Sequence, residues 1–384
     1  MIFDGLGLTP VINGVGPATR LGGLALADEV LQAMREAAKI SVRMDELQVA
    51  VGRRLAELLG VPGAYVTPGA SAALSLATAA VLAQGKAEIS DQLPSVEGGR
   101  NRVVIQHAHR DPYDHAVSLV GGHIVEVGFP GSTHADELRR ALGDDTAAVL
   151  FRPGRPGNLL DLPTVAAIAH SAHVPVIVDG ALHVPPIERL QMYFAEGADL
   201  VAVSGGKGFR GPQASGLLCG EPGLLEMAAL QHQDMDERAD TWRPASGESP
   251  PRHGVGRGMK IGREQIAGLL SAVERHVRAP GADEKPGLDE LSDIEEALQG
   301  VEGLTVSPGF DDALNVPVLH IDVTSSGSSV DDVLRRLASG SPRVYVGEER
   351  AWQNTLTVSP MALLPGEGRS LAAAVKAAIR ERKS

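Results

Sequence analysis

Short, mostly apolar runs recur along the chain, separated by stretches with helical spacing, and this alternation restricts the folds open to it. The runs fall at residues 64–67, 102–106, 123–127, 147–151, 174–179, 200–204 and 216–219. Between them, the spacing predicts helices over 71–84, 112–121, 135–142, 162–172 and 191–196. A strand covered on both faces reads as a continuous apolar run, whereas a strand with one wet face alternates. Parallel neighbours need a long crossover, usually a helix. The pattern therefore predicts an α/β fold whose mostly parallel sheet carries helices on both faces. Aromatic residues make up only 3% of the chain, so the core of that sheet must be aliphatic.

On either side the pattern changes. The first twenty residues, with Asn13-Gly14-Val15-Gly16-Pro17, read as an irregular, Gly-rich entry. Residues 26–59 have helical spacing, with Leu47, Val51, Leu55 and Leu58 on one face, and Gly60 stops the run. Residues 231–243 are polar and 244–258 are rich in Pro, Gly and Ser, which reads as a loop. A helix over 261–278 follows. The tail then reads as helix 288–299, strands 303–306 and 317–322, helix 329–338, strands 343–346 and 355–358, and helix 369–382. That order describes a small α+β domain. At 384 residues the chain is long enough for two cores. The expected division is an N-terminal segment with helices (1–60), a large ligand-binding domain (61–260), and a connecting helix with the small C-terminal domain (261–384).

The formal net charge of −13 repels phosphate polymers on average, so nucleic acid is not an expected partner. A single cysteine, Cys219, excludes an intrachain disulfide and a cysteine-rich metal site. No uncharged run reaches the roughly 18–20 apolar residues that span a bilayer. No basic segment followed by an apolar one opens the chain, so no signal peptide is expected and the expected location is the cytoplasm.

Four local features carry chemistry. Thr67-Pro68-Gly69-Ala70-Ser71 lies at a strand-to-helix turn, where small residues let backbone approach an anion and a helix N-terminus offers free N–H groups. Ser71 reads there as an N-cap, a phosphate ligand or both. Val176-Ile177-Val178-Asp179-Gly180 puts an acid at the C-terminal end of a buried strand, where open α/β sheets bind ligands. A carboxylate so placed can hold a protonated pyridine nitrogen, cap a helix or bind a metal. Val203-Ser204-Gly205-Gly206-Lys207, followed by Gly211-Pro212-Gln213, sets a lysine among glycines just past another buried strand. Burial there lowers the lysine pKa and favours the neutral amine that imine formation needs. A solvated loop lysine is the plainer reading. It yields to the functional one because Asp179 precedes it at the end of a parallel strand. Finally, Gln106-His107-Ala108-His109-Arg110, with Tyr113-Asp114-His115, offers an imidazole for ring stacking or proton shuttling. The adjacent spacing of His107 and His109 lacks the carboxylate–histidine helix pair of a zincin, so no metal is expected.

The order of these features resembles fold-type I enzymes dependent on pyridoxal 5'-phosphate. More narrowly, it resembles the family uniting L-seryl-tRNA(Sec) selenium transferase with D-glucosaminate-6-phosphate ammonia-lyase. The matching stretches are Val11-Ile12-Asn13-Gly14, Thr19-Arg20-Leu21-Gly22-Gly23, His109-Arg110 and Tyr113-Asp114-His115-Ala116. Further along come Pro175-Val176-Ile177-Val178-Asp179, Ser204-Gly205-Gly206-Lys207 with Gly211-Pro212-Gln213, and Gly256-Arg257-Gly258-Met259-Lys260 with Gly262-Arg263-Glu264. The Ser-Gly-Gly-Lys and Gly-Pro-Gln pair is the most specific. The resemblance implies that Lys207 forms the Schiff base and that Asp179 partners the pyridinium nitrogen. It implies that Gly69, Ala70 and Ser71 hold the phosphate with Ser204 as an added donor. His109 is the preferred ring-stacking residue, with His107 the competitor. The family's C-terminal arginine, in a segment like Pro-x-Ile-x-x-Arg, is replaced here by Gly347 within Ser341-Pro342-Arg343-Val344-Tyr345-Val346-Gly347. Arg343 or Arg20 is the expected substitute for binding a substrate carboxylate.

The implied reaction is that of a lyase acting on an amino acid or amino-sugar acid. Removal of the α-proton by Lys207 and loss of a β-substituent would yield a 2-oxo acid and ammonia. The same carbanion chemistry would also serve a racemase, an epimerase or an aldolase. Selenium transfer to a charged tRNA fits the acidic charge less well, and a catalytically silent relative fits poorly with the presence of both Lys207 and Asp179. The resemblance also implies a homodimer or larger assembly with shared sites, to which the basic residues Arg20, Arg252, Arg257 and Lys260 of the Gly-rich segments would contribute.

Overall fold

Strands that are apolar at every position have to be covered on both faces, and the sheet that results sets the position of everything else. The computed structural model describes residues 4–96, 99–232, 253–282 and 285–380. Its strands are β1 (Val11–Gly14), β2 (Ala64–Thr67), β3 (Arg102–Gln106), β4 (His123–Val127), β5 (Thr146–Phe151), β6 (Val176–Asp179), β7 (Leu200–Ser204), β8 (Gly216–Gly220), β9 (Thr305–Asp311), β10 (Val316–Asp322), β11 (Arg343–Val346) and β12 (Thr355–Val358). The chain divides into two compact units, Leu26–Val277 and a second made of Met1–Ala25 with Arg278–Ser384.

In the larger unit seven strands form one sheet in the order β2-β8-β7-β6-β5-β3-β4. Strands β3 to β7 run parallel, and β8 is antiparallel to both β7 and β2. Neighbouring residues along each strand enter different cores. Val104, Val149, Val176, Val178, Val201 and Val203 join one core, with Leu55, Leu138, Val165, Leu190 and Leu269 from the helices over it. Val103, Ile105, Leu150, Ile177, Leu200 and Ala202 join the other, under Leu74, Leu76, Ala77 and Ala80 of the helix Ala70–Ala83. That helix is buried from Ala73 to its end, and its run of alanines lets it lie close against the sheet. The mostly parallel α/β sheet expected from the sequence is present, with each of its seven strands in place to within two residues.

Several segments of the larger unit depart from the sequence reading. Residues 26–59 form two helices, Asp28–Ala37 and Met44–Leu59, rather than one. The gap contains Ile40-Ser41-Val42, where two β-branched side chains flank a serine and helix propensity is low. The segment 112–121 shortens to a 3-10 turn, Pro112–Asp114, and one helical turn, His115–Ser118. The helix Pro222–His232 has no counterpart in the sequence reading, because its apolar residues do not gather on one stripe.

The smaller unit holds two sheets. One is the three-stranded antiparallel set β12-β10-β9, and the other pairs β1 with β11 in parallel. The helices Lys285–Leu298, Val330–Ser339 and Glu367–Arg380 supply Ile294, Leu298, Val333, Leu337, Leu371 and Val375 to the same core as Ile12, Ile321, Val344 and Val346. Residues 11–14 are thus a strand and not irregular chain. Their partner lies near the other end of the sequence, which local spacing cannot reveal. Among the described residues, no helix is long and apolar enough to cross a membrane.

Candidate active site

In a parallel sheet the loops after neighbouring strands open onto one edge, and ligands bind there. Here β7, β6, β5 and β3 are successive neighbours, so the residues that follow them share that edge. Lys207 comes three residues after β7, Asp179 closes β6, Arg152 follows β5, and the turn His107–His109 follows β3. Strand β2 reaches the same edge by register. Thr67 and Ser204 both pair with Gly216 on β8, so the start of the helix Ala70–Ala83 lies beside the end of β7.

That helix start is bare. Gly69 is its N-cap at φ +105°, a backbone conformation that suits glycine, and no side chain caps the turn. A Cβ at Gly69 would find nothing within 4 Å, whereas one on Gly216 would meet the Gly69 carbonyl carbon at 2.5 Å. Ser71 is exposed inside the first turn and is not the N-cap, contrary to the sequence reading. Gly69 takes that place because only it tolerates the positive φ. The first turn of the helix consequently has no side-chain cap on its N–H groups.

The glycines around Lys207 are required by packing. A Cβ on Gly205 would lie 2.4 Å from Ser215 Oγ and 2.6 Å from Leu269 Cδ1, and one on Gly206 would lie 2.8 Å from Gln213 Cα. The loop is therefore pressed onto the 211–215 segment, with Gly205 N–H donating to the Ser215 carbonyl and Gly211 N–H to the Gly205 carbonyl. Lys207 emerges from it half-buried, and Ser204 is buried. Burial pulls the Lys207 ammonium below its ordinary pKa, against the opposing charges of Asp179 and Asp111.

Asp179 does not stand alone. Its Oδ2 accepts from Arg152 Nε at 2.9 Å and its Oδ1 from Ala181 N–H at 3.3 Å. Arg152 Nη1 donates to Asp114 Oδ1 at 2.5 Å and to the His109 carbonyl at 2.8 Å. Arg110 then bridges Asp114 and Glu126, and Glu126 holds His107 at 2.5 Å. A ladder of alternating charge thus runs from Glu126, which is bonded to the half-buried His107, to Asp179. His109 turns the other way. It is 2% exposed, its ring meets Phe151 edge-on at 4.8 Å between centroids, and its Nδ1 accepts from Arg152 N–H at 3.2 Å. Burial, with the charges of Arg155 and Arg152, drives its pKa down to about 4, so the ring is neutral at pH 7.

Sequence reasoning missed Arg152, Asp114 and the pair formed by Arg155 Nη2 and Asp111 Oδ2 at 2.6 Å. One signal was available: Arg152 directly follows a strand buried at every position, the same placement that singled out Asp179. Arg20 and Arg343 belong to the smaller unit. The Arg20 guanidinium lies 5.8 Å from the Tyr345 ring centroid and 3.7 Å from Glu348, while Arg343 is exposed at the start of β11. Of the Pro/Gly loop, Arg252 lies outside the described residues. Residues 255–258 form a 3-10 turn, and the Met259 carbonyl after it is bonded to His232.

No family model matches the chain. A 5'-C-glycyluridine monooxygenase-decarboxylase of Streptomyces is 30% identical over 378 residues, covering 95% of this chain and 88% of that protein. The D-glucosaminate-6-phosphate ammonia lyase of Salmonella typhimurium is 29% identical over 376 residues, covering 95% and 94%. A solved structure of an ammonia-lyase of that name has a TM-score of 0.84 and 28% identity, across 99% of this chain and 98% of that one. The L-seryl-tRNA(Sec) selenium transferase of Rhizobium meliloti is 32% identical over 57% of this chain and 50% of its own. The chain belongs to this family. It is an enzyme of the fold-type I class, and an aspartate aminotransferase from Thermus thermophilus shares that fold at a TM-score of 0.52 and 14% identity.

Proposed function

We propose that the chain binds pyridoxal 5'-phosphate through Lys207 and acts as a lyase on an amino acid or amino-sugar acid, releasing ammonia and a 2-oxo acid. The observation that carries this reading is the meeting, at one sheet edge, of a lysine held below its ordinary pKa and a half-buried carboxylate on the adjacent parallel strand.

The residues present fit that cofactor. The bare first turn at Gly69, Ala70 and Ser71 suits a phosphate dianion, with Ser204 as a further donor. Asp179 suits a protonated ring nitrogen, since its Oδ1 has only a long bond to Ala181. We assign the place against the ring to His109, neutral and buried, over His107, which is half-buried and tied to Glu126. When bound, the cofactor supplies a sink for the electron pair left as a proton departs from the substrate Cα. The protein supplies the rest. Lys207 Nζ takes that proton, and its lowered pKa enlarges the neutral fraction able to do so. Asp179 keeps a positive charge on the ring nitrogen favourable, and the Arg152 bond keeps its carboxylate in one orientation. Arg20 and Arg343 are the proposed partners of a substrate carboxylate or phosphate. We place the protein in the cytoplasm as a homodimer or larger assembly.

Ammonia and 2-oxo acid release across a panel of amino acids and amino-sugar acids tests the reading. Equal molar yields of both products are expected, with Lys207→Ala inactive and unable to retain the cofactor through dialysis. Full activity in Lys207→Ala would sink the mechanism. A second reading, a decarboxylating oxygenase, is favoured by the identity to the Streptomyces enzyme. Oxygen uptake with carbon dioxide release, and no ammonia, would establish it instead.

A further inference from the structure

Arg110, Arg152 and Arg155 follow β3 and β5 at the edge where Lys207 emerges, and they differ in what occupies them. Arg110 is taken by Asp114 and Glu126, while Arg152 is 5% exposed and committed to Asp179 and Asp114. Arg155 is left open. Its side chain is 36% exposed and held by one bond, from Nη2 to Asp111 Oδ2 at 2.6 Å. Among the described residues, its Nε and Nη1 have no hydrogen-bond partner. The segment that carries it is nevertheless fixed. Gly154 stands at φ +76° and Gly157 at φ +129°, and a Cβ there would meet His183 Nε2 at 2.7 Å and the Gly131 carbonyl oxygen at 2.9 Å, respectively. Asn158 N–H donates to the Gly131 carbonyl and Thr133 N–H to the Asn158 carbonyl, which pins the exit of the loop. An exposed ion pair adds little stability, whereas a guanidinium on a fixed loop is preorganised to receive an anion.

The pair formed by Arg155 and Asp111 bears on both sides of the proposed chemistry. Burial lowers the His109 pKa most, and the Arg155 charge comes next, ahead of Arg152. Burial likewise lowers the Lys207 pKa, opposed by Asp179 and by Asp111. Given the lyase reading above, on which this rests, the substrate presents an amine and a carboxylate on the same Cα. The carboxylate must therefore be held within a few bond lengths of the proton that Lys207 takes. Asp111 already shows which chemistry the guanidinium accepts, and a planar fork matches the two oxygens of a carboxylate. We infer that Arg155 receives the substrate carboxylate and sets the preference for it, with Asp111 holding the guanidinium until that group arrives. Arg20 and Arg343 are then left for a second anionic group on a substrate that carries one.

The test compares two ligands that cannot react with a lysine, N-(5'-phosphopyridoxyl)glycine and N-(5'-phosphopyridoxyl)glycinamide. They differ in a carboxylate against a neutral amide, and each is titrated by fluorescence into the full chain freed of cofactor. The wild type is expected to bind the carboxylate form about tenfold to a hundredfold more tightly, the range for hydrogen bonds to a charged group. Arg155→Gln is expected to bring that ratio towards one by weakening the carboxylate form alone, whereas a merely structural role would weaken both ligands alike. Asp111→Asn keeps a side-chain acceptor for Tyr113 N–H and is expected to raise the ratio, because a neutral side chain competes less for the guanidinium. Equal binding of the two ligands by the wild type overturns the inference about Arg155 and leaves the cofactor reading standing. So does an unchanged ratio or a parallel weakening in Arg155→Gln, or a lowered ratio in Asp111→Asn. Binding of pyridoxal 5'-phosphate but of neither conjugate likewise overturns the inference alone. Failure of the wild type to bind pyridoxal 5'-phosphate overturns the cofactor reading itself.

Discussion

Protonating His109 should destabilise the fold, and the size of the effect follows from its surroundings. The ring is buried, its Nδ1 is committed as an acceptor to Arg152 N–H, and two arginine charges bear on it. Its pKa is about 4 in the folded protein against an ordinary 6.5. The unfolded chain therefore binds more protons than the folded one between those values. Stability is unaffected above about pH 6.5 and falls as the pH drops towards 4. Between pH 7 and pH 4.5 the loss from this one residue is about 2.5 kcal/mol. His109→Phe removes the titration but also the acceptor for Arg152 N–H, which lowers stability by about 1 kcal/mol at every pH. The variant should thus be the less stable protein at pH 7 and the more stable one at pH 4.5. Urea unfolding of the larger unit at the two pH values reads the crossover. Carboxylates that also weaken in acid are common to both proteins and drop out of the difference. A histidine-selective NMR titration, assigned by the signal lost in His109→Phe, reads the pKa directly. A midpoint at pH 6 or above, or parallel stability curves for the two proteins, would refute the reasoning.

Two further outcomes are expected. Asp179→Asn should leave the cofactor bound but lower kcat by orders of magnitude, because an uncharged partner no longer favours the protonated ring nitrogen; an unchanged kcat would confine Asp179 to holding Arg152. In sedimentation the protein should run as a dimer or a multiple of it at micromolar concentration, because Leu31, Ile40, Val42 and Val49 leave 41–62% of their surface exposed within one short stretch of the larger unit; a monomer that turns over substrate would refute this.

What could be read from the sequence was whatever has a local cause. A strand buried on both faces must be apolar over its run, so β3 and β5 to β8 declared themselves without knowledge of their neighbours. Lys207 and Asp179 were legible for a related reason: a charged residue just past such a run has to emerge at the sheet edge. Arg152 meets the same criterion, but its meaning rests on partners 38 positions earlier and 27 positions later. Those partners meet only because the sheet places β5 between β3 and β6, an order that differs from the order along the chain. Strand β1 was hidden in the same way by its distant partner β11. Ser71 failed for the opposite reason. Its residue type suits an N-cap, but the N-cap lies two positions earlier, where a positive φ admits glycine and leaves the serine in the first turn. The charge ladder from Glu126 through Arg110, Asp114 and Arg152 to Asp179 is therefore a product of topology. Local motifs name the two ends of the proposed chemistry, and the strand order decides which charges stand between them.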